Sequence, residues 1–409
     1  MDALDIGVKN ILLILVPTHE PIIETFNYFV ITLSRSKNNY NVTYLFEDSN
    51  STPKRLADHA SLCSVTNEDL INFHAYDICL FNKLLPNIEP DIVIYASGSV
   101  DCSKIGERVR QYFTCLVLSI DSSIFTRTPF ASMLSLDPVG HLPYSYLLKY
   151  WPQISLNFKL DEKQRNKTLW LKHNIRNYLL QTSPFHETIN RLVHFDKLIL
   201  LPLNTYTPIE YDSYTAYITN ILTKIPMNIG VIVTVHPHSI DCITTEQIES
   251  LKKIHANLIH EKILYDYLYP SQYLLAHVDA VVFGTFSTLA FQALIWDVKV
   301  ICIEPIMPFL NDSSIVTNVI AVLNEPHRDK NALLFWILSH YSFFNDKRYG
   351  GEQYLNNNDF LTFFLENAFF CFKSGSFLNF YQEIDSYEIY FDKIVSYLNG
   401  EAVKRSPRS

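Results

Sequence analysis

Two short segments of this 409-residue chain constrain its fold more than any other part: Val231–Ser239 (VIVTVHPHS) and Val278–Pro305 (VDAVVFGTFSTLAFQALIWDVKVICIEP). Each contains an apolar run rich in Val that stops abruptly at polar residues. The first delivers His236, Pro237, His238 and Ser239; the second delivers Gly284, Thr285, Phe286, Ser287 and Thr288 at a helix start. Unbroken apolar runs of this length read as strands covered on both faces, the pattern of a parallel sheet flanked by helices. Ligands of such sheets bind beyond the carboxyl ends of the strands. A hydroxyl-rich turn opening a helix offers backbone N–H groups and the positive end of the helix dipole to an anion. A strand-end histidine beside that turn suits the phosphate of a sugar nucleotide.

The same alternation of strand and helix runs through much of the chain. Residues 11–16, 41–46, 91–96 and 115–120 read as strands, with helices over 21–36 and 103–113, the latter capped by Ser103 with Glu107 in its first turns. The alternation lapses from Thr126 to about Phe195, across a Pro/Tyr-rich loop (137–146) and a charged connector (159–167). It then restarts with strands at 197–203, 230–235, 280–283 and 299–303, and helices at 212–224, 244–255, 271–277 and 287–296. Two consecutive α/β sets predict two Rossmann-like domains facing across a cleft. The expected division is 1–160 and 196–330 as the two domains, 161–195 as connector, and 331–409 as a helical, aromatic segment packing back on both. That last segment (FLTFFLENAFFCFKSGSFLNFY) reads as core rather than membrane anchor, because Lys and Arg are sparse and its acids are interspersed.

Composition narrows the function classes. A net charge of −9 and a pI near 5.9 argue against general nucleic-acid binding, which needs a basic face. Seven cysteines (63, 79, 102, 115, 242, 302 and 371) lack CxxC or His-paired spacing, so they read as buried thiols of a reducing cytosol. The apolar run before Pro17 is too short to span a membrane, which makes the chain cytoplasmic, soluble or peripheral at a membrane face. There is no GxGxxG, GxxxxGK[ST], GxSxG or HExxH, and only 10 glycines are present, so NAD, FAD and P-loop chemistry are not expected. No cofactor and no metal are called for.

At His236-Pro237 and at Gly284-Thr285-Phe286-Ser287-Thr288, followed by ALIWDVKVI, the chain resembles the bacterial glycosyltransferases that use CMP-activated ulosonic acids. These are the Kdo transferases of capsule and lipopolysaccharide synthesis, and more distantly the sialyltransferases with HP and Ser-Ser/Thr motifs. The resemblance covers roughly residues 198–305. It implies a GT-B fold with the donor nucleotide in the C-terminal domain and a glycan acceptor, oligosaccharide or lipid-linked, on the N-terminal one. Carried over, His236 with Pro237 would contact the CMP phosphate, Ser287 and Thr288 would hold it from the helix start, and Thr285 would lie beside them. LSIDSSIFTR places Asp121 where inverting members carry a general base, and Arg127 could pair with the donor's carboxylate. LILLPLN ends in Asn204, where retaining members carry a carboxylate, with Glu210 and Asp212 following.

Each residue also has a plainer reading. His236 could cap a loop, Ser287 is a good N-cap in any protein, Asp121 could cap the two serines after it, and Glu304 could solvate a loop rather than bond a ribose hydroxyl. Three functions stay open: a CMP-sugar glycosyltransferase with a Kdo or sialic acid donor, an epimerase or polyol-phosphate transferase on a related scaffold, and a non-catalytic glycan-binding scaffold.

Overall fold

The computed structural model describes residues 10–15, 27, 29–36, 40–47, 56–65, 89–96, 106, 109–122, 133–140, 145–183, 195–203, 211–235, 243–259, 271–284, 287–303, 309–312, 319–344 and 358–382. The chain is a mixed α/β protein built from two compact units. One takes the described residues up to Phe158 and those from Trp336 onward; the other takes Lys159–Phe335.

The first unit holds a seven-stranded sheet. Its strands are β1 (Asn10–Leu15), β2 (Asn41–Glu47), β3 (Ser61–Val65), β4 (Ile92–Ala96), β5 (Leu116–Ser122), β6 (Met133–Asp137) and β12 (Phe343–Phe344), in the order β12-β6-β5-β4-β1-β2-β3. The five strands β1 to β5 are parallel, whereas β6 and β12 are added antiparallel. Ile11, Leu12, Leu13 and Ile14 of the central strand are all buried, as are Ile92–Tyr95, which is why these strands are apolar at consecutive positions. Asp91 ties β4 to β1: its carboxylate accepts from Asn10 N at 2.9 Å, and its own N–H donates to Asn10 O at 2.9 Å.

Aromatic rings close this unit. Tyr146, at the start of the helix Tyr146–Asn157, stacks on Trp336 at 6.2 Å and meets Tyr381 edge-on at 4.7 Å. The helix Asn358–Ser374 buries Leu361, Phe364, Leu365 and Ala368. One face of the aromatic band is therefore core, whereas Phe363 and Phe370 on the other face are exposed. The described part of the band groups with the first unit.

The second unit holds five parallel strands, β7 (Lys197–Pro202), β8 (Ile229–Thr234), β9 (Leu258–Ile259), β10 (Ala280–Phe283) and β11 (Lys299–Cys302), in the order β11-β10-β7-β8-β9. Among the parallel strands of each sheet the first is thus central, with the next two on one side and the following two on the other, the doubly wound order. The second unit repeats the carboxylate tie: Asp279, just before β10, accepts from Leu198 N at 2.9 Å and Lys197 Nζ at 2.7 Å. Edge strand β11 is covered locally. Asp312 accepts from Val300 N and Asn311 from Cys302 N, both at 2.9 Å, so these edge groups are not left open to another strand.

The segment expected as a charged connector is instead the start of a 21-residue helix, Glu162–Thr182, and it belongs to the second unit. Asp161 caps it in a reciprocal box with Gln164, and Thr168, Leu171, Lys172, Ile175 and Leu179 form its buried stripe. Its many Lys, Arg and Gln are good helix formers that mask this narrow stripe in a polar sequence. Within the expected loop 137–146, strand β6 ends at Asp137 and a helix starts at Tyr146. The strands that the alternation misses are β3, β6, β9 and β12. They are short, polar or antiparallel, so they carry little apolar signal.

Candidate functional site

Doubly wound sheets bind ligands where the strand order reverses, because crossovers leave in opposite directions there and open a crevice at the carboxyl ends. In the second unit that point lies between β7 and its neighbour β10, with β8 on the other side of β7. The ladder runs cleanly to this edge: Pro202 pairs with Thr234, Leu203 N donates to Thr234 O at 2.8 Å, and Ile303 N donates to Phe283 O at 2.9 Å. The next residues in sequence are Asn204 after β7, His236-Pro237 after β8, Thr285 after β10 and Glu304 after β11. Those five residues and Thr285's neighbour Phe286 lie outside the described residues, as does Arg127.

The described part of this edge is mostly buried. Thr234 ends β8 with its side chain 1% exposed, and its hydroxyl lies 3.0 Å from that of Ser271, the first residue of the short helix Ser271–His277. Gly284 follows β10 and is buried. Ser287 accepts from Leu289 N at 3.3 Å through its hydroxyl and from Ala290 N at 3.1 Å through its carbonyl. The helix itself runs Leu289–Trp296, with Thr288 at the cap position, in helical backbone geometry (φ −64°, ψ −20°) and making no side-chain cap. The sequence places the helix start at Ser287. In the structure Ser287 serves the turn one residue earlier, and its hydroxyl already occupies the N–H of Leu289. Both Ser287 and Thr288 are half-buried.

The far end of this helix is clamped. Asp297 closes it in the left-handed region at φ 56°, the one non-glycine residue there among those described. Its two carboxylate oxygens receive Lys172 Nζ and, at 2.6 Å, Arg176 from the helix Glu162–Thr182. Arg176 Nε also donates to Ile295 O at 2.5 Å, and Lys172 Nζ donates to Asn331 at 3.0 Å. Burial pushes the Lys172 ammonium below its usual pKa, with Asp297 opposing that shift. No motif marks this clamp; the one sequence hint is an Asp directly after a helical run.

Asp212 is exposed, one residue before Ser213, which caps the helix Tyr214–Leu222 by accepting from Ala216 N at 3.2 Å. Asp121 is the penultimate residue of β5 in the first unit, where its backbone pairs with Ser135 of β6. Strand order therefore gathers the exits toward Asn204, His236, Thr285 and Glu304 at one edge of the second sheet, while Asp121 belongs to the other sheet. Among the described residues no group of three His, Cys, Asp or Glu side chains could hold a metal.

No protein-family model matches the chain, and no curated protein does. Among solved structures, it is similar to the beta-Kdo 2,7-transferase KpsC of Thermosulfurimonas dismutans, with 16% identity, a TM-score of 0.44, and coverage of 74% of this chain and 92% of that one. It is also similar to the UDP-GlcNAc 2-epimerase of Methanocaldococcus jannaschii (12% identity, TM-score 0.35, 79% and 95% covered). A third is a family 9 glycosyl transferase of Veillonella parvula (11% identity, TM-score 0.26, 76% and 86% covered).

Proposed function

We propose that the chain is a glycosyltransferase of the GT-B kind, which transfers an ulosonic acid, Kdo foremost, from its CMP-activated form to a surface-polysaccharide acceptor. One observation carries the reading. β8 and β10 flank β7, so the chain leaves for His236 and for Gly284–Thr288 on either side of the central strand, at the edge where doubly wound sheets hold nucleotides. A histidine and a hydroxyl-bearing helix start are the groups that would grip a phosphate without a glycine-rich loop.

In this reading 196–330 is the donor domain and 1–160 the acceptor domain. His236 donates to the CMP phosphate, with Ser287, Thr288 and Thr285 on the same group, Glu304 on the ribose and Arg127 on the donor carboxylate. Bond breaking at the tertiary anomeric carbon leaves an oxocarbenium-like centre, and CMP departs with the bonding pair. In the inverting case Asp121 takes the proton of the acceptor hydroxyl as its oxygen attacks. In the retaining case a carboxylate near Asn204, with Asp212 the nearest described candidate, traps the cation before the acceptor displaces it. A lipid-linked acceptor would place the enzyme at the cytoplasmic face of a membrane.

The test is a thermal-shift comparison of CMP, CDP, UDP and GDP, since a ligand of the native state raises the melting temperature by mass action. CMP should give the largest shift, and His236→Ala should weaken its binding by about 1.5–3 kcal/mol, the worth of a charge-assisted hydrogen bond. A larger shift with UDP, or unchanged CMP affinity in His236→Ala, overturns the donor assignment.

A further inference from the structure

Two helices of the second unit open at the carboxyl edge of its sheet. The short helix Ser271–His277 leads down to the start of β10, and the helix Leu289–Trp296 follows the end of β10, so both run from the carboxyl edge toward the amino edge. They pack against each other on one face of the sheet. Val233 and Val235 turn to the opposite face, where they join a core with Tyr217, Ile221 and Leu251. Side chains alternate along a strand, so Thr234 turns to the face of the two helices. There its hydroxyl meets that of Ser271 at 3.0 Å.

This bond has a direction. Thr234 is 1% exposed, and among the described residues Ser271 Oγ is the one acceptor its hydroxyl reaches. A buried hydroxyl proton left without an acceptor is costly, so Thr234 donates and Ser271 accepts. The proton of Ser271 is then left for a third group. Among the described residues no other group bonds the Ser271 hydroxyl, and the residue is half-buried at the carboxyl edge. Ser287 and Thr288, at the opening of the neighbouring helix, are half-buried at the same edge. Ser271 thus adds a hydroxyl tied to β8 to the two that follow β10. A hydroxyl that accepts one hydrogen bond is polarised to donate a stronger one, and an anion gains most from such a donor.

We propose that Ser271 donates to the phosphate of the donor nucleotide, with Thr234 as the buried positioning residue that turns its proton outward. This rests on the donor-site reading above and adds to it a residue that no motif marks.

The experiment is calorimetric titration of the full chain with whichever of CMP, CDP, UDP and GDP shifts its melting most, so a change of base leaves the test of Ser271 standing. Ser271→Ala should weaken binding about tenfold or more, the loss of a hydrogen bond to a charged group. Ser271→Thr keeps the hydroxyl and should bind like wild type. The matching nucleoside, followed by competition at high concentration, should bind wild type and Ser271→Ala equally. Thr234→Val should weaken nucleotide binding by roughly threefold and cost nothing further in the Ser271→Ala background. Unchanged melting of the free proteins would show that the variants fold. If His236→Ala weakens nucleotide binding and Ser271→Ala does not, the proposal falls and the donor reading stands. A nucleoside loss as large as the nucleotide loss overturns the phosphate contact, and a Thr234→Val loss that persists without the Ser271 hydroxyl overturns the positioning role. Binding of none of the four nucleotides by wild type overturns the donor reading and this proposal together.

Discussion

Arg176 donates to the carboxylate of Asp297 at 2.6 Å, across 121 residues of sequence, and the ammonium of Lys172 reaches the other oxygen of the same group. The helix that Asp297 closes is the one whose opening turn carries Ser287 and Thr288. The clamp therefore anchors one end of the element that presents the proposed phosphate site at the other.

Removing the acid leaves a buried ammonium with only Asn331 as partner. Asp297→Ala should destabilise the second unit by roughly 2–3 kcal/mol, below the full cost of breaking a buried pair because Asp297 is partly exposed. Lys172→Met in the same chain should restore part of that loss, since it removes the charge left without its partner. Urea unfolding of the single and double variants checks this; strictly additive losses would show that the two residues are not coupled.

Gly230 lies at the start of β8, where an added Cβ would sit 2.6 Å from Leu198 Cδ2 and 2.9 Å from the Phe195 ring. Leu198 is itself buried and has little room to move. Gly230→Ala should cost about 1–3 kcal/mol by overpacking, read as a lower denaturant midpoint at unchanged slope.

Two buried groups of the first unit give opposing pH dependences. Asp137 is buried on four donors: Val139 N, Gly140 N, Tyr146 N and the Tyr341 hydroxyl, the last at 2.7 Å. Burial still pushes its carboxyl from 3.8 up to about 6. The folded state then holds a proton that the unfolded state has released, so this group adds stability as pH falls from about 6 to 3.8. His340, stacked on Trp336 at 5.9 Å, is pushed by burial from 6.5 down to about 4. Here the unfolded state binds the proton first, so stability is lost as pH falls from 6.5 to about 4. His340→Gln removes only the second effect. Relative to wild type it should gain up to about 3 kcal/mol between neutral pH and pH near 4. Parallel stability curves for the two proteins would remove His340 from the acid response.

The chemistry has its own tests. Asp121→Ala should abolish transfer while leaving CMP affinity unchanged, because Asp121 belongs to the first sheet and the proposed donor grip to the second. If Asn204 stands where a carboxylate nucleophile would, Asn204→Asp should raise activity, and mass spectrometry should find a sugar adduct on the protein. Full activity in Asp121→Ala removes that residue from the mechanism. No gain and no adduct in Asn204→Asp removes the other.

The amino-acid sequence by itself determined the α/β class and the identity of the long buried strands. Ile11–Ile14, Ile92–Tyr95, Val231–Val233 and Ala280–Phe283 are apolar at consecutive positions, a local signal that needs no knowledge of neighbours. It also marked where those strands stop, and hence the polar residues leaving the second sheet. It could not supply the strand order, which puts β7 between β8 and β10 through pairings of residues far apart in the chain. Nor could it place Glu162–Thr182, Asp137 or Asp297. A charged residue reads as surface until a distant partner makes its burial tolerable, and those partners (Asp297 for Lys172, Tyr341 for Asp137) lie 125 and 204 residues away. Ser287 shows the same limit within a single turn. Its hydroxyl could act from the cap position or bond the first helical N–H from one residue earlier, and only the folded backbone, with Leu289 N 3.3 Å away, decided between them.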